Sequence, residues 1–347
     1  MRVETLCRGT GSSRVLLAAF LAISACATPL LAKSSVITRP VTILVGAAAG
    51  GGTDVVSRAL AQGLREYLGV QITVQNMLGA GGGTAAEYVW KKKPRDGTVI
   101  WGLSETCLFL PGNGGHYTTT KDWEYFWAGG TPGAVIVKNS SKYKTFKDLI
   151  DDAKQRPGEI RVAASVQPGL WCTRWMATAQ AAGIKTNVLG YTGSNPSLLA
   201  ALSGEVDVVH VSVGEALPYL QAKQLRALTM IELEPFTIPG VGTIPAVVDI
   251  LPEMKKVLPM PQLLGIAVPA DTPEPVMNEL RAAFLHAMKS KAVRTVMKTQ
   301  LATPLGLYGD EAKKVSKKLE SQFNWMLVDL GMAVKNPADL GIEKPGE

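Results

Sequence analysis

Val41 to Gly46 (VTILVG) runs into Ala47-Ala48-Ala49-Gly50-Gly51-Gly52-Thr53-Asp54 and then into Val55 to Leu68 (VVSRALAQGLREYL). The first piece is short, apolar and rich in β-branched residues, which suits a buried strand. The last has apolar residues at helical spacing, with Thr53 or Asp54 as its expected N-cap. The glycines between them are a strand-to-helix turn. Glycine lets a ligand approach the main chain, and a helix N-terminus favours an anion through its dipole and unpaired N–H groups.

The same rhythm repeats outward from this stretch. Gln71–Gln75 reads as a strand, Gly79–Gly83 as a second glycine loop and Thr84–Lys92 as a helix. Val99–Leu103 is a third strand, ending at Ser104-Glu105. The pattern predicts a parallel α/β sheet with a ligand beyond the carboxyl ends of its strands, where all three loops lie. It then restarts with a strand at Ala134–Lys138, a helix at Phe146–Arg156 capped by Thr145, and a strand at Ile160–Ser165. A helix to Ala182, a strand at Thr186–Leu189, a helix at Ser197–Ser203, a strand at Val206–Val211, a helix at Ala216–Ala222 and a strand at Leu225–Met230 follow. After a Pro-punctuated loop over residues 234–261, a strand at Leu263–Val268 and two amphipathic helices, Pro273–Ser290 and Gly309–Leu330, close the chain. Two α/β units joined by strand-like crossings imply two lobes with a cleft between them.

The first residues read as an address. Met1–Arg14 is basic and polar, Val15–Ile23 is a nine-residue apolar core, and small residues follow. This is the order of a secretory signal spanning residues 1–32, with cleavage sites after Ala27 and after Ala32. Ile23-Ser24-Ala25-Cys26 also fits a lipobox, in which Cys26 carries a lipid. The segment holds about three of the seven surplus positive charges of the 347-residue chain. Lys91-Lys92-Lys93 and Lys313-Lys314 then read as solvated faces, and no nucleic-acid partner is expected.

Chemical motifs are sparse. No Lys follows Gly52, which argues against a phosphate-binding P-loop, and the glycines lack dinucleotide spacing. Gly-x-Ser-x-Gly and zinc-ligand spacings are missing, so neither a metal nor a cofactor is expected. His116, His210 and His286 are scattered. His286 reads as structural, and His210 points either to the core or to the cleft. Export would leave Cys107 and Cys172 in an oxidising compartment, either as free thiols or as a bridge.

The ordered series of pieces resembles the solute receptors of the tripartite tricarboxylate transporters, the Bug or TctC-like proteins. It comprises Gly50-Gly51-Gly52-Thr53-Asp54 with Arg58, Val74-Gln75-Asn76-Met77-Leu78-Gly79-Ala80-Gly81-Gly82, and Asp96-Gly97-Thr98. Thr145-Phe146-Lys147-Asp148-Leu149, Pro157-Gly158, Tyr191-Thr192-Gly193-Ser194, Gly204-Glu205-Val206-Asp207 and Leu225-Arg226-Ala227-Leu228 complete it. The resemblance implies an α/β fold: a two-lobed periplasmic binding protein type II clamshell with a central cleft. Lobe 1 would be residues 36–134 plus 256–347, and lobe 2 residues 135–255. It further implies a monomeric, non-enzymatic, cofactor-free receptor that captures a small organic acid and delivers it to transmembrane permease subunits.

By position, the resemblance places Gly51, Gly52, Thr53 and Asp54 in the cleft, or Asp54 in a capping role. Gly81, Gly82, Gly83, Thr84 and Ser104 lie nearby, with Ser165, Gly169, Gly193, Ser194 and Ser212 opposite. The chain departs from the family at Ser104-Glu105-Thr106, at Val166 to Cys172 and at Val211-Ser212. Glu105 would repel a second acid group on the solute unless it accepts an N–H. Trp171 would form a flat wall of the cleft or a piece of core. A sensor module, or an enzyme built on Glu105 with Cys172 or His210, are the rival readings.

Overall fold

The structure is a computed structural model that describes residues 35–91, 95–114, 118–164 and 169–346. The address segment with Cys26, and also Lys92, Lys93, His116 and Ser165, lie outside the described residues.

The chain opens with β1 (Val41–Val45), α1 (Gly52–Leu68), β2 (Ile72–Asn76), α2 (Gly83–Lys91) and β3 (Val99–Ser104). β4 (Trp123–Gly130) and β5 (Gly133–Lys138) follow with only Thr131-Pro132 between them. Next come α3 (Phe146–Gln155), β6 (Arg161–Ala164), α4 (Leu170–Ala182), β7 (Asn187–Gly190), α5 (Ser194–Ser203), β8 (Val208–Ser212), α6 (Val213–Gln221) and β9 (Leu225–Met230). A small hairpin, β10 (Phe236–Ile238) and β11 (Gly242–Ile244), precedes β12 (Leu264–Pro269). The chain finishes with α7 (Glu274–Lys289), α8 (Lys291–Thr299), β13 (Thr303–Leu307) and α9 (Gly309–Asp329).

Two larger sheets result. The first has the order β13-β4-β12-β3-β1-β2, and the second β7-β6-β8-β5-β9. Neither is wholly parallel. β1 pairs in parallel with β2 and β3, and β6 with β7 and β8, as the strand–helix rhythm requires. β12 runs antiparallel to β3 and β4, and β5 antiparallel to β8 and β9. These two strands arrive from the opposite sheet, not through a crossover helix, and so enter against the prevailing direction.

Core formation follows side-chain spacing. Val56, Leu60 and Leu64 form one stripe of α1 and are buried with Leu280 and Phe284 of α7. Each such aliphatic side chain contributes roughly 2 kcal/mol by leaving water. The helices cross closely because a Cβ at Gly63 would fall 2.6 Å from Ala287 Cα. At α3, Thr145 Oγ1 accepts from Asp148 N at 3.2 Å while Asp148 Oδ2 accepts from Thr145 N at 2.9 Å, a reciprocal cap.

Candidate functional site

The carboxyl ends of β2, β1 and β3 lie side by side, so the loops that leave them are neighbours. A Cβ on Gly46 would meet Gly82 Cα at 2.7 Å, so the two glycine loops touch through bare backbone. Gly81 and Gly82 have φ of 62° and 99°, left-handed conformations that glycine adopts without a Cβ penalty. Thr84 is exposed, and Gly83 opens α2.

The N-cap of α1 is Gly51, not Thr53 or Asp54. Asp54 instead sits inside the first turn and braces it. Its Oδ2 accepts from Gly50 N at 2.9 Å and from Arg58 Nε at 3.0 Å, and its Oδ1 accepts from Asn76 Nδ2 at 2.9 Å. Burial pushes this carboxyl up, but the bonds from Arg58, Gly50 and Asn76 outweigh it and leave it below its ordinary range. Asp54 therefore shapes the loop.

The opposite wall comes from the second sheet. Gly193 (φ 156°) caps α5, and Gly169 caps α4. Ser212 caps α6 by accepting from Glu215 N at 3.3 Å. Ser212 is also tied to the crossings between the sheets: Thr131 Oγ1 lies 2.7 Å from Ser212 Oγ and 2.6 Å from Gln262 Oε1.

The two walls meet. Glu215 Oε1 accepts from Gly52 N at 3.2 Å, and Asn195 Nδ2 donates to Gly50 O at 3.5 Å. Burial raises the pKa of the Glu215 carboxyl, and the neighbouring Ser194 and Ser212 side chains and the Gly52 amide only partly offset that. Sequence reading missed Glu215; an acid three residues after a helix cap carries no sign that it will face a loop 163 residues away.

Other expected residues serve the walls from within. Ser104 caps the short helical turn after β3, accepting from Thr106 N. Glu105 is 2% exposed and its Oε2 accepts from Leu263 N at 2.8 Å, the N–H partner that spares it from facing the cleft as a bare charge. Burial pushes its carboxyl up to about 7 against the bonds from Leu263 and Thr106. Trp171 is buried core, edge-on to His210 and beside the Arg174 guanidinium, so it is not an open wall of the cleft. Arg174 is fully buried and pairs with Glu232 at 2.7 Å.

His210 also belongs to the core. Its Nδ1 meets the Trp171 carbonyl at 2.8 Å, and burial next to Arg174 pushes its pKa down to about 3. Cys107 and Cys172 are buried free thiols, not a bridge. Burial raises Cys172 to about 11, far from a reactive thiolate. Glu105, Cys172 and His210 are thus each held in buried surroundings, without the shared hydrogen bonds an acid–base set needs. Surface His286 rests on Tyr67, 5.6 Å between ring centroids. Among the described residues no His, Cys, Asp and Glu group is placed to hold a metal. No described helix is long and apolar enough to cross a membrane. A cavity of about 1100 Å³ lies elsewhere, against α9, lined by lysines such as Lys314 and Lys318 and by no residue of the glycine loops.

A family model described as "Tripartite tricarboxylate transporter family receptor" matches residues 56–321. Protein BugT of Bordetella pertussis is 26% identical over 305 residues, covering 85% of this chain and 90% of BugT. The structure of the periplasmic binding protein BugD superposes with a TM-score of 0.75 at 23% identity, covering 85% of this chain and 99% of BugD. MatC from Rhodopseudomonas palustris with bound malate gives 0.73 at 21% identity, covering 85% and 99%.

Proposed function

Because the chain belongs to the tripartite tricarboxylate transporter receptor family, we propose that it is a periplasmic receptor that closes on a small carboxylate and hands it to transmembrane permease subunits. The observation that carries the ligand class is the Gly52 amide at the start of α1, which in this structure holds a carboxylate oxygen. An N–H at a helix start, backed by the helix dipole, suits that group. The malate bound by MatC, a protein of the same fold, agrees in chemistry.

In this reading the first sheet, β1–β4 with β12 and β13, centres one lobe and the second sheet, β5–β9, centres the other. The lobes turn about the crossings at Thr131-Pro132 and Gln262, and the solute lies between the Gly51–Gly52 and Gly81–Gly83 loops and the Gly193–Ser194 turn. Closure is favoured only by contacts the solute makes better in the closed state. Residues 1–32 act as the export signal, and the mature receptor works as a monomer without catalysis. Native mass spectrometry of the purified mature protein tests the assignment: a retained small acid is the expected result. An empty protein that no mono-, di- or aromatic carboxylate stabilises in a thermal-shift series would overturn the ligand class.

A further inference from the structure

We propose that Glu215 is a built-in occupant of the solute position: a carboxylate on the second-sheet side that latches the cleft shut and that an incoming solute carboxylate must displace. This rests on the receptor reading above and adds a regulation to the same site.

Three observations carry it. Glu215 crosses from α6 to the start of α1 and puts Oε1 on the Gly52 amide at 3.2 Å, the kind of bond a solute carboxylate would seek. The backbone that carries this side chain is pinned, because Glu215 N donates to Ser212 Oγ at 3.3 Å and Ser212 Oγ lies 2.7 Å from Thr131 Oγ1 at the crossing between the sheets. Around it the walls are in contact. Asn195 reaches Gly50, and a Cβ at Gly214, one residue before Glu215, would overlap the backbone of Gln300 at the end of α8.

The helix end is therefore already served by the chain's own acids, Asp54 on Gly50 N and Glu215 on Gly52 N. A solute carboxylate arriving there meets like charge and a taken donor. Asp54 is held by Arg58 and Asn76 and stays. No cation is among the groups that hydrogen-bond Glu215, so it is the acid free to yield. The latch also brings specificity, since a solute enters only if its contacts outdo those of Glu215.

The test uses ligand-free mature protein and needs no knowledge of the natural solute. Small-angle X-ray scattering is compared for wild type, E215Q, E215D and E215A, with circular dichroism to check folding. Wild type and E215Q, which keeps an oxygen for Gly52 N–H, are expected to share one compact radius of gyration. E215A, and E215D with its shorter reach, are expected to be larger. If E215A does not fold, E215D decides. An unchanged radius in the variants overturns the latch.

Malate then serves as the probe in calorimetric titration, where E215A is expected to bind at least about tenfold more tightly than wild type, about 1.4 kcal/mol. Equal affinities overturn the displacement. Opening of E215A, with no mono-, di- or aromatic carboxylate binding any variant, supports the latch while removing the carboxylate class proposed above, so the two ideas fail separately.

Discussion

Asp54 and Glu215 come to the same end of α1 from opposite sides of the cleft, and they end up as different kinds of acid. Asp54 belongs to the helix it serves and is paired with Arg58 and Asn76. Its carboxyl is held low. Glu215 comes from α6, beside the other sheet, and is met by the Gly52 amide with no cation, and burial pushes its carboxyl up. Both share one helix dipole, so the dipole does not decide their state; burial raises both, and only Asp54 has a cation and enough hydrogen bonds to outweigh it. One carboxylate is a fixed part of the loop and the other is a charge that can be given up.

The largest way to break this contrast is to remove the fixed acid. Asp54→Ala should cost about 2–3 kcal/mol in urea unfolding, because Gly50 N, Arg58 and Asn76 all lose their partner. The sign with pH follows from its lowered pKa. Its contribution is present above the ordinary value near 3.8 and disappears as pH falls through the folded value, so the variant and wild type should converge in acid.

Glu105 extends the comparison to a buried acid with no cation hydrogen-bonded to it. Its pKa is raised, so the stability it lends in the neutral form is full below about 4.5 and lost as pH rises through about 7. Glu105→Gln, which still offers an oxygen to Leu263 N, should be about 2 kcal/mol more stable than wild type at pH 8 and equal to it near pH 4. Urea titrations at the two pH values measure this.

A smaller effect of the same sign is expected at the releasable acid. Glu215→Gln should be more stable than wild type at pH 7, and the gain should fade toward pH 4 as Glu215 itself becomes neutral. A loss of stability at pH 7 would place Glu215 with Asp54 and erase the contrast. The smallest expected effect is none: a thiol reductant should leave the melting temperature unchanged, since no bridge joins Cys107 to Cys172.

Parts of this arrangement were legible in the chain and parts were not, for physical reasons. β1 and α1 announce themselves because a short apolar run rich in β-branched residues and a stripe at helical spacing each have one packed solution. β4 was not anticipated: its residues from Trp123 to Gly129 are all buried, so no alternation marks it, and two tryptophans and a tyrosine hide the period. α8, β13 and the β10–β11 hairpin were likewise unseen, being short or lying in Pro-rich chain. The glycine loops and the serines opposite were placed at their sheet ends by pattern and resemblance. Asp54's bracing role needed the position of Asn76, and Glu215 needed the closed geometry of both sheets.

β12 has a consequence for the order in which the molecule can be made. It lies between β3 and β4, strands that precede it by more than a hundred residues. The early part of the chain therefore waits with a gap in its sheet until residues 264–269 arrive, whereas the second sheet takes all its strands from residues 133–230 and can finish alone. Long-range closure of this kind slows folding. A chain emerging end-first from a narrow channel would keep its leading third open, and so pliable, until almost four-fifths of its length had passed through.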